Sequence, residues 1–204
     1  MNNMRKGLLF IISGPAGSGK GTVVRRLIEK HKELRLSISA TTRKPRAGEV
    51  HGVHYYYISR EEFESRISEG KMLEYTVYSQ NYYGTPEKEV LEAMEDGYDV
   101  ILEIEVDGAM QIKEKIKEAV LIMLTPPNSQ VLEDRLRGRG TETEDVIKWR
   151  LERAKEEISL LPKYDYSVVN NDGQADACAE LIYSIINAEH QKTTYTKSII
   201  ENFI

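Results

Sequence analysis

The residues best placed to do chemistry stand near the start of the chain, in Gly14-Pro15-Ala16-Gly17-Ser18-Gly19-Lys20-Gly21-Thr22. A glycine, four residues and then Gly-Lys is the spacing of a phosphate loop, whose backbone N–H groups turn inward around phosphate oxygens. Glycines are needed because side chains would block that approach. Lys20 supplies a point charge for the β and γ phosphates, and the helix expected to follow adds the positive end of its dipole. The strict pattern carries Ser or Thr directly after the lysine, where this chain has Gly21. The hydroxyl that would serve a magnesium ion therefore passes to Thr22, directly or through water. Together these residues imply binding of a nucleoside triphosphate with Mg2+, and leave the acceptor of its phosphoryl group open.

A second candidate stretch is Ser39-Ala40-Thr41-Thr42-Arg43-Lys44-Pro45-Arg46-Ala47-Gly48-Glu49, followed by Gly52 and Tyr55. Two arginines three apart can fork onto a monophosphate, and a tyrosine hydroxyl can complete its hydrogen bonding. Taken alone, such a run is more often a solvated basic loop. A further group of arginines, 135, 137, 139, 150 and 153, lies in a charged helical region. The formal net charge of −5 argues against a chain that coats nucleic acid, so these local clusters suit small polyanions.

The elements that must position these groups follow from hydrophobic patterning. Residues 8–12 form a continuous apolar run, as expected of a central parallel strand, and residues 22–30 have helical composition. Strand, loop and helix thus come in the order a phosphate loop requires. Further buried strands are expected over residues 100–104, 119–124 and 166–169, alternating with helices. Between about 37 and 97 the texture changes, with many tyrosines and a half-exposed strand over residues 72–78. That segment predicts a helix opened by Ser59 and Glu62 as a capping box and ending near Gly70. It predicts a second helix with Thr85 as N-cap and Pro86 at its first position, stopping by Gly97. Residues 126–162 read as a charged helical cover broken at Gly138-Arg139-Gly140, with Ile147, Leu151, Ala154, Ile158 and Leu161 forming one apolar stripe. The tail 191–204 is ambiguous between a docked helix and a frayed end.

With 204 residues and 40% hydrophobic content, the chain fits one domain with inserted lobes. Arg5 and Lys6 before the first apolar run superficially resemble a signal peptide, but the run is too short and leads straight into the phosphate loop. No apolar stretch approaches the ~20 residues needed to cross a membrane. Cys178, the single cysteine, reads as a buried small hydrophobe on a late helix in a reducing compartment, and a cytoplasmic location is expected.

The motifs, taken in order, closely resemble those of guanylate kinases. The resemblance rests on the phosphate loop, on the stretch from Ser39 through Glu49 to Tyr55, and on Glu74 with Asn81-Tyr82-Tyr83-Gly84-Thr85. It continues through Asp107-Gly108, Arg135, Gly138-Arg139-Gly140-Thr141-Glu142-Thr143 and Val169-Asn170-Asn171-Asp172, and so spans about residues 8–186. It implies a three-layer α/β P-loop NTPase fold with a central parallel sheet (about 1–37, 98–125 and 163–190), an inserted α+β monophosphate-binding lobe (about 38–97) and a helical lid (about 126–162). It implies phosphoryl transfer from ATP to GMP or dGMP. Arg43, Arg46, Tyr55 and Tyr83 would hold the phosphate of GMP, and Ser39, Glu74 and Thr85 would read the guanine. Arg135, Arg139 and Arg150 would descend toward the transferring phosphoryl, and Asn170 would contact adenine. Glu103 and Glu105 stand where the family commonly has Asp, so Glu103 is open between the guanine and the magnesium shell. Asp107 replaces a frequent Gln and receives no role. No nucleic-acid or membrane partner is expected, and the oligomeric state is left open. The rival readings are a non-catalytic peptide-binding scaffold of the same family and a P-loop kinase for another acceptor.

Overall fold

The computed structural model describes residues 6–138, 140 and 142–195; Arg139, one of the expected cover arginines, lies outside the described residues, as does 196–204 of the tail. Strand β1 (Leu9–Ser13) is buried along its whole length and runs into the phosphate loop, which ends at helix α1 (Lys20–Lys30). Beside β1 lie β7 (Asp99–Glu103) and β8 (Val120–Thr125), flanked in turn by the edge strands β2 (Leu34–Leu36) and β9 (Tyr166–Val169). The order is β2-β7-β1-β8-β9, and all pairs are parallel.

Because strand side chains alternate between faces, the apolar run around β1 feeds two cores. Leu8, Phe10 and Ile12 pack with Val23, Val24 and Leu27 of α1 and with Ala179, Ile182 and Ile186 of α7 (Ala175–Glu189). Leu9 and Ile11 face the other way, onto Val90 and Met94 of α3 (Glu87–Glu95) and Ala109 and Ile112 of α4 (Val106–Lys115). Helices on both faces of a parallel sheet give the three layers expected. Cys178 is buried in the first core, as its sequence context predicts.

A second sheet, in the order β4-β3-β6-β5, lies within the tyrosine-rich segment. It comprises β3 (Ala40–Thr41), β4 (Tyr56–Tyr57), β5 (Met72–Tyr78) and β6 (Asn81–Pro86). Helix α2 (Arg60–Ser68) covers it through Phe63, whose ring stacks on Tyr82 at 5.0 Å. The Ser59 side chain accepts from the Glu62 N–H at 3.1 Å, as the capping box predicts. Thr85 departs from expectation: it lies in β6 and Pro86 is the N-cap of α3, because the Thr85 hydroxyl is committed to a buried partner, Glu74.

Helices α5 (Ser129–Gly138) and α6 (Glu144–Ser159) make a pair whose small core is Leu132, Leu136, Ile147 and Ala154, with Leu151 against it. Leu161, the last residue of the expected stripe, belongs instead to a short 3-10 turn after α6.

Asp99, at the start of β7, accepts from the Leu8 N–H at 2.8 Å, and His190 Nε2 at the end of α7 lies 2.8 and 2.9 Å from its two oxygens. Asp99→Ala would leave both groups buried without this partner, a loss of about 2–4 kcal/mol. The denaturant midpoint should fall accordingly, with the slope of the transition unchanged.

Candidate active site

The phosphate loop leaves the carboxyl end of β1 and is held open from below by its neighbours. Gly14 has φ +147°, and a Cβ there would sit 2.1 Å from the Leu124 carbonyl oxygen; at Gly19, φ +93°, it would sit 2.4 Å from Asn170 Nδ2. Neither position admits another residue without moving backbone or a braced amide. Asn170 is buried at the end of β9, with Nδ2 donating to the Ser18 carbonyl at 2.8 Å and Oδ1 3.6 Å from Cys178 Sγ. Its amide therefore braces the loop, a contact the sequence does not disclose. Arg135 of α5 ties the same region together, donating to the Asn170 carbonyl at 2.7 Å, to Asp172 Oδ1 at 2.7 and 3.0 Å, and to the Ser18 carbonyl at 3.4 Å.

Lys20, in the first turn of α1, is only 9% exposed. Its ammonium donates to the Gly14 and Pro15 carbonyls and lies 3.6 Å from Glu105 Oε1. The Ser18 hydroxyl is buried with no hydrogen-bond partner among the described residues, a group that a phosphate oxygen would satisfy. Around the loop the Thr22 hydroxyl and the Glu103 and Glu105 carboxylates offer hard oxygens, which suit Mg2+. Among the described residues, no group of three or more His, Cys, Asp or Glu is arranged to hold a metal by itself. Magnesium ordinarily needs only one or two protein oxygens when nucleotide phosphates supply the rest, so the residues present fit that ion.

Across a cleft of about 560 Å³ stands the second sheet. Its lining brings together Ala16 and Lys20 of the phosphate loop, Ser39, Tyr55, Glu74 and Tyr83 of the tyrosine-rich segment, Arg150 of α6, and Glu103, Glu105 and Gly108. Glu74 is 5% exposed, and Thr85 Oγ1 donates to its Oε1 at 2.7 Å. Burial pushes the Glu74 carboxyl above its ordinary pKa, and the Thr85 hydrogen bond opposes that rise. Two of the three residues expected to read a base, Glu74 and Thr85, are thus already paired with each other.

Arg43 is held by a residue to which the sequence assigned no role. Glu49 takes its guanidinium on two oxygens, at 2.9 and 3.0 Å, and also accepts from the Arg46 N–H at 2.7 Å and the Tyr57 hydroxyl at 2.8 Å. Arg43, followed by the Arg46 N–H, draws the Glu49 pKa down to about 2, and Glu49 in turn raises that of Arg43. This fork fixes the plane of the guanidinium, whose carbon lies 5.6 Å from the centre of the Tyr55 ring. Tyr55 and Tyr83 sit edge to face at 6.0 Å. Arg46 is exposed, and neither its side chain nor that of Arg43 lines the cleft, although Tyr55 beside Arg43 does.

On the helical pair, Arg150 Nε lies 2.9 Å from Glu142 Oε2 and so faces a carboxylate of its own segment. One further contact ties α6 to the rest of the site. Asp107, without a role in the sequence reading, forms an ion pair with Arg153. Glu157 is buried at the cleft and bonded by Arg153 Nε at 3.3 Å; burial first, and then the Glu105 charge, push its pKa up. The Asp107–Arg153 pair, 46 residues apart, carries no local sequence signature, whereas Arg153–Glu157 is an i,i+4 pair within α6.

A glycine-rich loop between a central parallel strand and a helix that opens on lysine defines the P-loop NTPase fold. The fold is shared with a shikimate kinase from Acinetobacter baumannii solved with shikimate, at a TM-score of 0.50 and 16% identity, covering 93% of this chain and 98% of that one. The family model described as guanylate kinase matches residues 6–189. A guanylate kinase of Clostridioides difficile is 47% identical over 201 residues, covering 98% of this chain and 97% of the relative. The crystal structure of guanylate kinase from Anaplasma phagocytophilum superposes with a TM-score of 0.72 at 32% identity, covering 93% of this chain and 89% of that one. The chain belongs to the guanylate kinase family.

Proposed function

We propose that this chain transfers the γ-phosphoryl group of ATP to GMP, and to dGMP, giving ADP and GDP. The observation that carries this reading is one cleft lined both by Ala16 and Lys20 of the phosphate loop and by Ser39, Tyr55, Glu74 and Tyr83. Transfer between two anions asks for in-line placement and cancellation of charge rather than covalent work by the protein.

On the donor side, the loop amides of residues 14–22 and Lys20 would cradle the phosphates, with Asn170 and Arg135 fixing the loop's shape. Magnesium, when bound, would neutralise charge on the β and γ phosphates, held from the protein side near Thr22. On the acceptor side, Arg43 and Arg46 with Tyr55 and Tyr83 would grip the monophosphate. Glu74 would accept from the N1 and 2-amino hydrogens of guanine, with Ser39 and Thr85 beside it. Adenine has no donor at either position, so the buried carboxylate would be left unpaired by AMP. Residues 38–97 would act as the acceptor lobe and residues 126–162 as a lid that brings Arg150 and Arg139 to the moving group. Arg150 would exchange its contact with Glu142 for a phosphate. Closure would also exclude water, which otherwise would consume ATP by hydrolysis. Among the described residues no helix is long and apolar enough to cross a membrane; a cytoplasmic location, where both nucleotides would be at hand, is part of the proposal.

The test is a coupled assay of the purified chain with ATP, Mg2+ and each of GMP, dGMP, AMP, UMP and TMP. GMP and dGMP should be turned over far faster than the others, with one ADP formed per GDP; a preference for AMP, or no transfer at all, overturns the reading. Arg43→Met should lower kcat/KM for GMP by about 10²–10³, mostly through KM, because the fork onto the monophosphate is lost while the donor site is untouched.

A further inference from the structure

Helix α6 presents two faces with different work. Ile147, Leu151 and Ala154 pack in the small core shared with α5, whereas Trp149, Arg153 and Glu157, spaced four apart, line the cleft. The end of this second face nearest the 3-10 turn is anchored: Arg153 is paired with Asp107 of α4, and its Nε lies 3.3 Å from the buried Glu157. Trp149 stands one turn beyond Arg153, about 12 Å along the helix from Glu157, and has no such anchor. It is the one tryptophan of the chain and 64% exposed, and its indole makes no hydrogen bond or ring contact with the described residues.

The tyrosine-rich segment carries a matching group. Tyr78, the last residue of β5, also lines the cleft and is 65% exposed. Strand alternation puts it on the same face as Glu74 and Thr76, roughly 13 Å beyond Glu74. A two-residue turn sets its place: Ser79 and Gln80 have φ of 46° and 66°, the Asn81 side-chain amide donates to the Ser79 carbonyl at 3.0 Å, and Arg60 donates to the Gln80 carbonyl at 2.5 Å. The Tyr78 ring and hydroxyl likewise have no ring contact or hydrogen bond among the described residues. Single exposed apolar groups are ordinary on a protein surface. Here two large aromatic side chains are left in water on one cleft, each from a different one of the two segments that the proposed reaction would bring together.

We propose that Trp149 and Tyr78 are an aromatic latch: when both nucleotides are bound, the indole seats on the Tyr78 ring and joins the helical pair directly to the acceptor segment. This rests on the two-nucleotide reading above. Burying the two rings against each other stabilises only the state in which both segments have closed, so the latch makes donor and acceptor binding cooperative. Arg150 is the next residue after Trp149, and seating the indole also fixes where that guanidinium comes down. Trp149 and Tyr78 are then positioning residues, which touch neither nucleotide.

The test uses the whole chain, whose single tryptophan reports on its own surroundings. Trp149 emission should keep its water-exposed position with GMP alone, or with Mg2+ and a non-hydrolysable ATP analogue alone, and should shift to the blue when both are bound. Calorimetric binding of GMP with and without the analogue measures the coupling. The tightening of GMP by the analogue should fall about 5-fold in Trp149→Ala and in Tyr78→Ala, should fall no more than about 2-fold further in the double variant, and should stay within about 2-fold of the natural chain in Tyr78→Phe. Affinity for each nucleotide alone should not move, which separates a latch from damage to either site. An emission that stays put with both nucleotides bound, losses that add in the double variant, or a natural chain in which the analogue does not tighten GMP overturns the proposal. A blue shift that follows protein concentration rather than nucleotide would give the two rings to a second copy of the chain and overturns it equally. GMP phosphorylation with the emission unmoved leaves the kinase reading standing without the latch. A paired-nucleotide shift without phosphorylation refutes the kinase reading and leaves the latch.

Discussion

Lys20→Ala should lower turnover of GMP by about 10³ while leaving the protein folded. The ammonium is the one fixed positive side chain inside the loop, resting on the Gly14 and Pro15 carbonyls beside Glu105. In a water-poor site, a preorganised charge aimed at the transferring group is worth several kcal/mol at the transition state, and losses of 10²–10³ for one such donor are typical. The loop itself is shaped by backbone, by glycines in conformations other residues avoid, and by the amide of Asn170 beneath it. Its form therefore rests chiefly on groups other than the lysine side chain, whose two carbonyl contacts water can replace. Thermal unfolding within a few degrees of the natural chain, together with the loss of kcat, is the expected pair of results; a fully active variant would remove Lys20 from the chemistry.

Glu74→Gln should lower kcat/KM for GMP by about 10³ and narrow the margin over AMP by a similar factor. The substitution keeps volume and an acceptor for the Thr85 hydroxyl, but it turns an NH₂ toward a base edge that also presents donors, and two unpaired donors facing each other in a buried site are costly. The pH dependence carries the same signature. Burial raises the Glu74 pKa, so the uncharged acid persists to higher pH than for an ordinary carboxylate. Recognition of guanine by the carboxylate should then strengthen as pH rises through that value and weaken below it. The acidic limb of kcat/KM for GMP should lie above the usual carboxylate range and should change in Glu74→Gln. A variant that keeps both its rate and its acidic limb would take the guanine away from this residue.

Much of the fold was legible from short-range pattern. The run of residues 8–12 announced a strand buried on both faces, and Ser59 with Glu62 announced the start of α2. The edge strand β2 and the two-residue strands β3 and β4 were not legible, since so few residues carry no periodicity and are defined by their partners. Thr85 was misplaced for a related reason: Thr-Pro reads locally as a helix start, and a hydrogen bond to Glu74, eleven residues earlier, outweighed that signal.

The site divides along the same line. Residues whose work depends on spacing, such as the loop glycines, Lys20 and Arg43, could be named from the sequence. Those whose work depends on what the fold brings near them could not. Asp107 on Arg153 and the Glu103 carboxylate near Gly21 are cross-element contacts, and Glu49 on Arg43, six residues away, depends on how one irregular loop turns back on itself. Asn170 could be carried over as a site residue, yet its position under the loop became visible only with β9 in place beside β8.

The most direct measurement of the central claim is the binding of a linked compound, adenosine and guanosine joined through their 5′ oxygens by a chain of phosphates. Two facing nucleotide sites in one cleft predict one molecule bound per chain, far more tightly than ATP or GMP alone, with both displaced together. Binding no tighter than ATP, with GMP still able to enter, would contradict an arrangement in which Lys20 and Arg43 serve a single transfer.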